Sequence, residues 1–225
     1  VHSILECCKN IMNKKKIKLI QISTDEVYGS LYYSGSFKEG DVYKPNSPYS
    51  ASKASADHLI RAYRKTYGVP SIIIHPSNNF GPYQNPEKLI PKIIINCMLK
   101  SSIPVYGKGL QIRDWLYVKD TANAIYKIIM KGKVGENYNI STKNEFQNLK
   151  LVKKICQYFD KRYSFNRKDK YKNLIKFVSD RPGHDFRYSL VNGKIKKLGW
   201  KYNNKFELKL IETIEWYIKR YNKVR

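Results

Sequence analysis

Ser23-Thr24-Asp25-Glu26-Val27-Tyr28-Gly29 closes an apolar run of Ile17, Leu19, Ile20 and Ile22, and Tyr49-Ser50-Ala51-Ser52-Lys53 follows Pro48. The run reads as a strand over 18–23, and Pro48 as the first position of a helix over 47–67. Residues four apart on a helix share a face, so Lys53 stands one turn after Tyr49. A free phenol titrates near pH 10 and is a poor base at neutrality, but a neighbouring ammonium favours the phenolate. The spacing therefore predicts that Lys53 lowers the pKa of Tyr49 and readies it as a proton acceptor. Thr24, Asp25 and Glu26 add a hydroxyl and an acid/base pair where the strand ends. Those parts suit oxidation of a carbinol joined to removal of water. Alone, each motif is weak: Tyr-x-x-x-Lys occurs by chance on surface helices, and adjacent acids often open turns or cap helices.

Outward from these motifs the chain alternates strands and helices. Strands are expected at 70–75, 103–106, 136–140 and 175–178. Helices are expected at 89–99, 120–130, 149–159, 192–198 and 206–221, with 115–118 leading into the second of these. The helix 47–67 carries apolar positions at Ala54, Leu59, Ala62 and Tyr63. Residues 1–10 read as the tail of a helix preceding the first strand. Such alternation predicts an α/β fold of parallel βαβ units. The segment 162–173 is the most polar and is expected to be a mobile loop.

Composition sets bounds. With 225 residues, 42% of them hydrophobic, the chain can bury a sizeable core. No apolar run approaches the roughly 20 residues that cross a bilayer. Cys7, Cys8, Cys97 and Cys156 show no Cys-x-x-Cys spacing and read as reduced, mostly buried thiols of a cytoplasmic protein. His2, His58, His75 and His184 form no ligand pattern, so no metal is expected. A net charge of +25 with 19 tyrosines could suit nucleic acid, with cations on phosphates and rings under bases. The lysines, however, run from Lys9 to Lys223 without a block, which argues for solvated faces and against a specific nucleic-acid partner.

Six ordered blocks carry a further reading: STDEVYG (23–29), SPYSASKASADHLIRAY (47–63), SNNFGPYQNPEKLIP (77–91), YGKGLQIRDWLYVKD (106–120), ENYNI (136–140) and DRPGHDFRY (180–188). Across nearly the whole chain they resemble the extended short-chain dehydrogenase/reductases, and within them the nucleoside-diphosphate-glucose 4,6-dehydratases. The resemblance implies a Rossmann-type doubly wound parallel sheet and a smaller α/β sugar-nucleotide lobe. The division is expected near Gly81-Pro82: 1–81 as part of the NAD-binding domain and 82–225 as the substrate lobe, with part of 112–140 returning to the first sheet. No G-x-G-x-x-G occurs, and Gly107-Lys108-Gly109 is a false lead. The first strands of the doubly wound sheet, roughly a hundred residues, are expected to precede Val1 in a longer protein.

The resemblance further implies a lyase that uses NAD to dehydrate a nucleoside-diphosphate glucose, dTDP-glucose foremost, by internal hydride transfer from C4 to C6. Thr24, Asp25, Glu26, Tyr49 and Lys53 are the implied catalytic residues. Tyr49, Ser50, Ala51, Ser52, Lys53 and Asn79 are the implied cofactor contacts. Implied substrate contacts are Thr24, Asn78, Lys88, Leu89, Pro104, Val105, Tyr106, Arg113, Asn148, Asp180, Arg181, Pro182, Gly183 and His184. Arg113 would fork onto the diphosphate; the plainer reading is a surface ion pair with Asp114. A homodimer through a four-helix bundle is implied, with 47–67 supplying one helix. The Asp25-Glu26 pair favours glucose-type dehydratases over 4-epimerases and leaves thymine and uracil nucleotides both open. A non-enzymatic basic remnant that binds nucleic acid is the competing class, disfavoured because Thr24, Asp25, Glu26, Tyr49, Lys53 and Arg113 are all present.

Overall fold

The computed structural model describes residues 1–163 and 169–222. Strands β1 (Leu19–Ile22), β2 (Ser71–Pro76) and β6 (Asn137–Ile140) form a parallel sheet in the order β1-β2-β6. All six residues of β2 are buried. A central parallel strand covered on both faces needs such a near-continuous apolar run. Ile72 and Ile74 face helix α4 (Val118–Lys131), packing with Ala124 and Ile128. Ile73 faces the other way, onto Leu5 of α1 (His2–Ile11) and Ile60 of α2 (Pro48–Tyr67).

Strands β3 (Asn78–Phe80), β5 (Ile112–Tyr117) and β7 (Glu145–Gln147) form a second sheet, parallel between β3 and β5 and antiparallel between β5 and β7. Strands β4 (Ile103–Tyr106) and β8 (Ile175–Val178) pair in parallel as a third. Helices α3 (Leu89–Met98), α5 (Asn148–Arg162) and α7 (Phe206–Asn222) enclose the largest core, which includes Phe80, Ile94, Trp115, Ile155 and Tyr217. The short helix α6 (Gly193–Lys197) and Trp200 return to the first sheet, beside Ile140.

Several expectations need correction. In α2 the buried face carries Ala54, Ala56 and Ile60, whereas Leu59 and Ala62 are exposed. The exposed face mixes Leu59 and Ala62 with Ser55, His58 and Lys65, and the buried face includes Ser50 and Asp57, so apolar positions alone do not mark the inward stripe. Cys97 and Cys156 are buried, but Cys7 is exposed and Cys8 half-buried. The three-residue strands β3 and β7 lie outside the expected elements, being too short to show a period. Of the expected mobile loop 162–173, residues 164–168 lie outside the described residues. Arg162 ends α5, and Tyr171–Leu174 form a 3-10 turn with Tyr171 buried. Gly107 and Gly109 make a tight turn after β4 with positive φ of 54° and 66°. A Cβ at Gly109 would lie 2.7 Å from a methyl of Val105. These glycines serve close packing, not a phosphate loop.

Candidate active site

Where β1 ends the chain turns at once. Thr24 caps a single 3-10 turn, Asp25–Tyr28, its Oγ1 accepting from the Glu26 amide. Thr24 thus takes the capping role that a plain reading gives the acids. Asp25 is left buried, with Oδ1 accepting from the Thr24 hydroxyl at 3.2 Å and Oδ2 without a partner. A buried orphan oxygen is rare enough to need a reason.

Helix α2 arrives opposite. Ser47 and Ser50 form a reciprocal capping box in front of Pro48, which fixes the entry angle and buries Ser50. Tyr49, Lys53 and Asp57 then follow at successive turns on one face. Each meets one residue of the strand end. Tyr49 stands beside Thr24 in the cleft wall. Lys53 Nζ donates to the Ile22 carbonyl at 2.6 Å. Ser23 Oγ donates to Asp57 Oδ2 at 2.6 Å.

The electrostatics divide these groups. Burial pushes the Asp25 carboxyl up to about 8; the charge of Glu26 adds to the rise and Arg113 opposes it. Burial also raises Glu26, against the pull of Arg113 and Arg181. Tyr49 is raised too, first by burial and then by Glu26, with the neighbouring Thr24 hydroxyl opposing. That departs from the expectation drawn from the Tyr-x-x-x-Lys spacing: Lys53 is engaged at the Ile22 carbonyl, and the charges of Glu26 and Asp25 act against the phenolate.

These residues line a cavity of about 580 Å³ that includes Thr24, Asp25, Glu26, Tyr49, Pro182 and Gly183. A second, of about 480 Å³, includes Leu89, Pro104, Tyr106, Arg113, Asn148 and His184. Glu26, Asn78, Asn79, Gln84, Lys88 and Arg181 line both, so the two form one cleft with Asp25 at one end, Lys92 and Arg113 at the other, and Glu26, Lys88 and Arg181 between them.

Six of the anticipated residues stand outside the cleft wall. Ser50 belongs to the capping box, and Ala51 and Ser52 are exposed on α2. Lys53 is held at Ile22. Val105 is a core residue of β4, because neighbouring strand residues point to opposite faces. Asp180 braces its own loop, accepting from Gln111 Nε2 at 2.7 Å and meeting His184 Nδ1 at 2.7 Å. The plainer reading of Arg113 also fails. Its guanidinium is buried, donates to the carbonyls of Ile112, Asp185 and Phe186, and stacks 4.5 Å from the Tyr188 ring. Asp114 instead accepts from Ser141 and Asn144.

The cleft also holds Gln84, Lys92, Trp115 and Tyr188, none of them anticipated. Lys92 follows Lys88 by one helical turn, a spacing that could have revealed it. Tyr188 approaches from far along the chain and leaves no local signal. Among the described residues no group of three or more His, Cys, Asp or Glu could hold a metal ion, and no helix is long and apolar enough to cross a membrane.

The family model for GDP-mannose 4,6 dehydratase matches residues 1–213. The chain belongs to that family. Within this family it is 45% identical to the dTDP-glucose 4,6-dehydratase of Shigella flexneri, over 97% of this chain and 64% of that protein. The Bacillus anthracis dTDP-glucose 4,6-dehydratase in complex with NAD superposes with TM-score 0.85 at 45% identity, covering 96% of this chain and 66% of that one. The Streptomyces venezuelae enzyme of the same name, with NAD and TYD bound, gives TM-score 0.87 at 38% identity, covering 96% and 64%. The fold is therefore the Rossmann-type α/β fold of these structures. The chain spans about three fifths of the length of the curated relatives it matches.

Proposed function

We propose that the full-length protein dehydrates a nucleoside-diphosphate glucose, dTDP-glucose, to its 4-keto-6-deoxy product with NAD as resident cofactor. The observation that carries this reading is the acid pair Asp25–Glu26 beside Thr24 and Tyr49 at one end of a cleft whose other end is cationic. Relatives carrying the dehydratase name support it.

The residues present fit the reacting end of NAD. Ligands of open parallel sheets sit beyond the carboxyl ends of the strands, where Ile22 is 48% exposed and the Lys53 ammonium rests on its carbonyl. Tyr49, Lys53 and Asn79 would hold that end, with Ser50, Ala51 and Ser52 forming the turn between the first two. NAD supplies a hydride acceptor at C4 of the sugar and a donor at C6. The chain's own groups move the protons. Thr24 steers the 4-hydroxyl, and Tyr49 receives its proton as the phenolate that the Lys53 ammonium would favour once it has left the Ile22 carbonyl. Glu26 removes the proton from C5, which the 4-ketone acidifies, and returns a proton there when C6 takes up the hydride. Asp25, protonated at neutrality through burial, gives its proton to the departing 6-hydroxyl. Two neighbouring carboxyls can serve as acid and base when their environments hold their pKa values apart. Lys88, Arg181, Arg113 and His184 would grip the diphosphate.

Incubation with dTDP-glucose and detection of the 4-keto sugar by its alkaline absorbance tests the reading; release of the galactose epimer instead would sink it. In single turnover, Tyr49→Phe should leave NAD oxidised. Asp25→Asn with Glu26→Gln should let bound NADH accumulate. We also assign a homodimer through α1 and α2, whose outer faces expose Ile4, Leu59 and Tyr67. The dispersed positive charge belongs to solvated faces, with no specific nucleic-acid partner.

A further inference from the structure

Beneath the strand end lies a polar cluster that the chemistry above does not use. Asp57 and His75 have fully buried side chains, their atoms Oδ2 and Nε2 3.3 Å apart. Asp57 Oδ2 accepts from Ser23 Oγ at 2.6 Å and from the Tyr43 hydroxyl at 3.1 Å. Tyr43 also meets His75 Nε2 at 2.7 Å and accepts from Arg61 Nη2 at 2.7 Å. Tyr28, two residues after Glu26, reaches His75 Nδ1 at 3.3 Å and donates to Asn139 at 3.0 Å. The cluster thus joins α2, β2, β6 and both ends of the segment that carries Thr24, Asp25 and Glu26.

Three contacts link α2 to the end of β1 as rungs: Tyr49 stands beside Thr24, Lys53 is hydrogen-bonded to the Ile22 carbonyl, and Asp57 to Ser23. Tyr49 is 54% exposed and Lys53 lies on the solvent side, whereas Ser23 is 5% and Asp57 0% exposed. A buried hydrogen bond backed by a network is rigid, and breaking it strands a buried partner. An exposed lysine contact exchanges readily with water. The buried rung is therefore the one that sets the register of the other two.

We propose that Ser23 and Asp57 are positioning residues: their hydrogen bond, braced by His75 and Tyr43, holds Thr24 in line with Tyr49 for removal of the sugar hydroxyl proton. This role rests on the dehydratase reading above. A misplacement of about 1 Å at reacting groups can cost as much as a hundredfold in rate, and neither residue touches the cationic end that would grip the diphosphate. Loss of the rung should therefore lower kcat and spare KM.

The test is steady-state and single-turnover kinetics of the full-length protein on dTDP-glucose. Ser23→Ala should cut kcat and the rate of NAD reduction about tenfold, with KM within about twofold. Asp57→Asn keeps an acceptor oxygen for Ser23 and should retain more activity than Asp57→Leu. Acting through Thr24, the Ser23→Ala change should cost under about twofold in a Thr24→Ala background. Should Asp57→Leu fail to fold, Ser23→Ala and Asp57→Asn still decide. An unchanged kcat, a raised KM with kcat intact, or full additivity with Thr24→Ala overturns the positioning role alone. A wild-type protein that does not turn over dTDP-glucose overturns the dehydratase reading as well, and shows it before any variant is compared.

Discussion

Asp25 is the residue whose environment says most about the chemistry. With its carboxyl raised to about 8 by burial and Glu26, it keeps its proton at neutrality and loses it as the medium becomes alkaline. The rate of water loss should therefore fall as pH rises through about 8, by about tenfold per unit beyond it. A pH–rate profile that stays flat to pH 10 would remove Asp25 from the acid role. The same shift has a consequence for folding. An ordinary aspartate titrates near 3.8, so between about 4 and 8 the folded chain holds a proton that the unfolded chain has released. Stability then declines as pH climbs across that window. Asp25→Asn removes the penalty and should raise the melting midpoint by several degrees at pH 8, and by less at pH 5. At this scale the sequence is legible in part. The spacing of Tyr49 and Lys53 does put both on one face of α2, but the partner of Lys53 is a backbone carbonyl 31 residues away. Nothing in a five-residue motif encodes that contact, and so the direction of the Tyr49 shift was not readable. Arg113 fails in the same way: its partners at Asp185 and Phe186 are more than 70 residues on.

Elements were read best where length and caps agree. Helix α2 starts at Pro48 behind a serine, and its left-handed C-cap is Gly68, so both ends carry local signals. Replacing Ser47 by alanine removes the Ser50 amide's acceptor and half of the capping box. The expected cost is about 1 kcal/mol, or roughly 2–4 °C in melting midpoint for a chain of this size. The same change should loosen Tyr49 and raise the NAD-reduction defect beyond what stability explains; calorimetry alongside single-turnover kinetics separates the two. Short elements were not readable. Strands β3 and β7 have three residues each, below any period, and they exist because β5 offers them an edge. The apolar positions of α2 do not all face inward: Ile60 packs on Ile73 of the sheet while Leu59 and Ala62 turn outward. An apolar residue on a helix announces burial only when its opposite face is polar. The exposed apolar face then needs a partner, and Leu59→Lys should shift the full-length protein toward monomer in light scattering. An unchanged mass would rule α2 out of the contact.

Across the whole molecule the two ends of the cleft are not equally supported. The cationic end is built from Lys88, Lys92, Arg113 and Arg181, with His184 beside them, set by β5, by α3 and its N-terminal cap, and by the 180–188 segment. Its bracing carbonyls and its Asp180–Gln111 contact all lie within these 225 residues. The opposite end is bounded by β1, the outermost strand in the order β1-β2-β6. An outermost strand presents unpaired backbone groups and a half-covered face, and Ile22 is 48% exposed at its end. The sequence also contains no glycine-rich turn to cradle a pyrophosphate at a helix N-terminus. The 225-residue chain by itself should therefore bind dTDP-glucose measurably, through the cations, and NAD only weakly. Calorimetry on the purified chain should give a Kd for dTDP-glucose below the one for NAD by at least about tenfold, a difference of about 1.4 kcal/mol. Arg181→Ala with Lys88→Ala should erase the sugar-nucleotide signal and leave the NAD signal unchanged. Micromolar NAD affinity in this chain would mean that the β1 side of the cleft is complete without a glycine-rich loop, and that the pyrophosphate is held by groups other than a helix N-terminus.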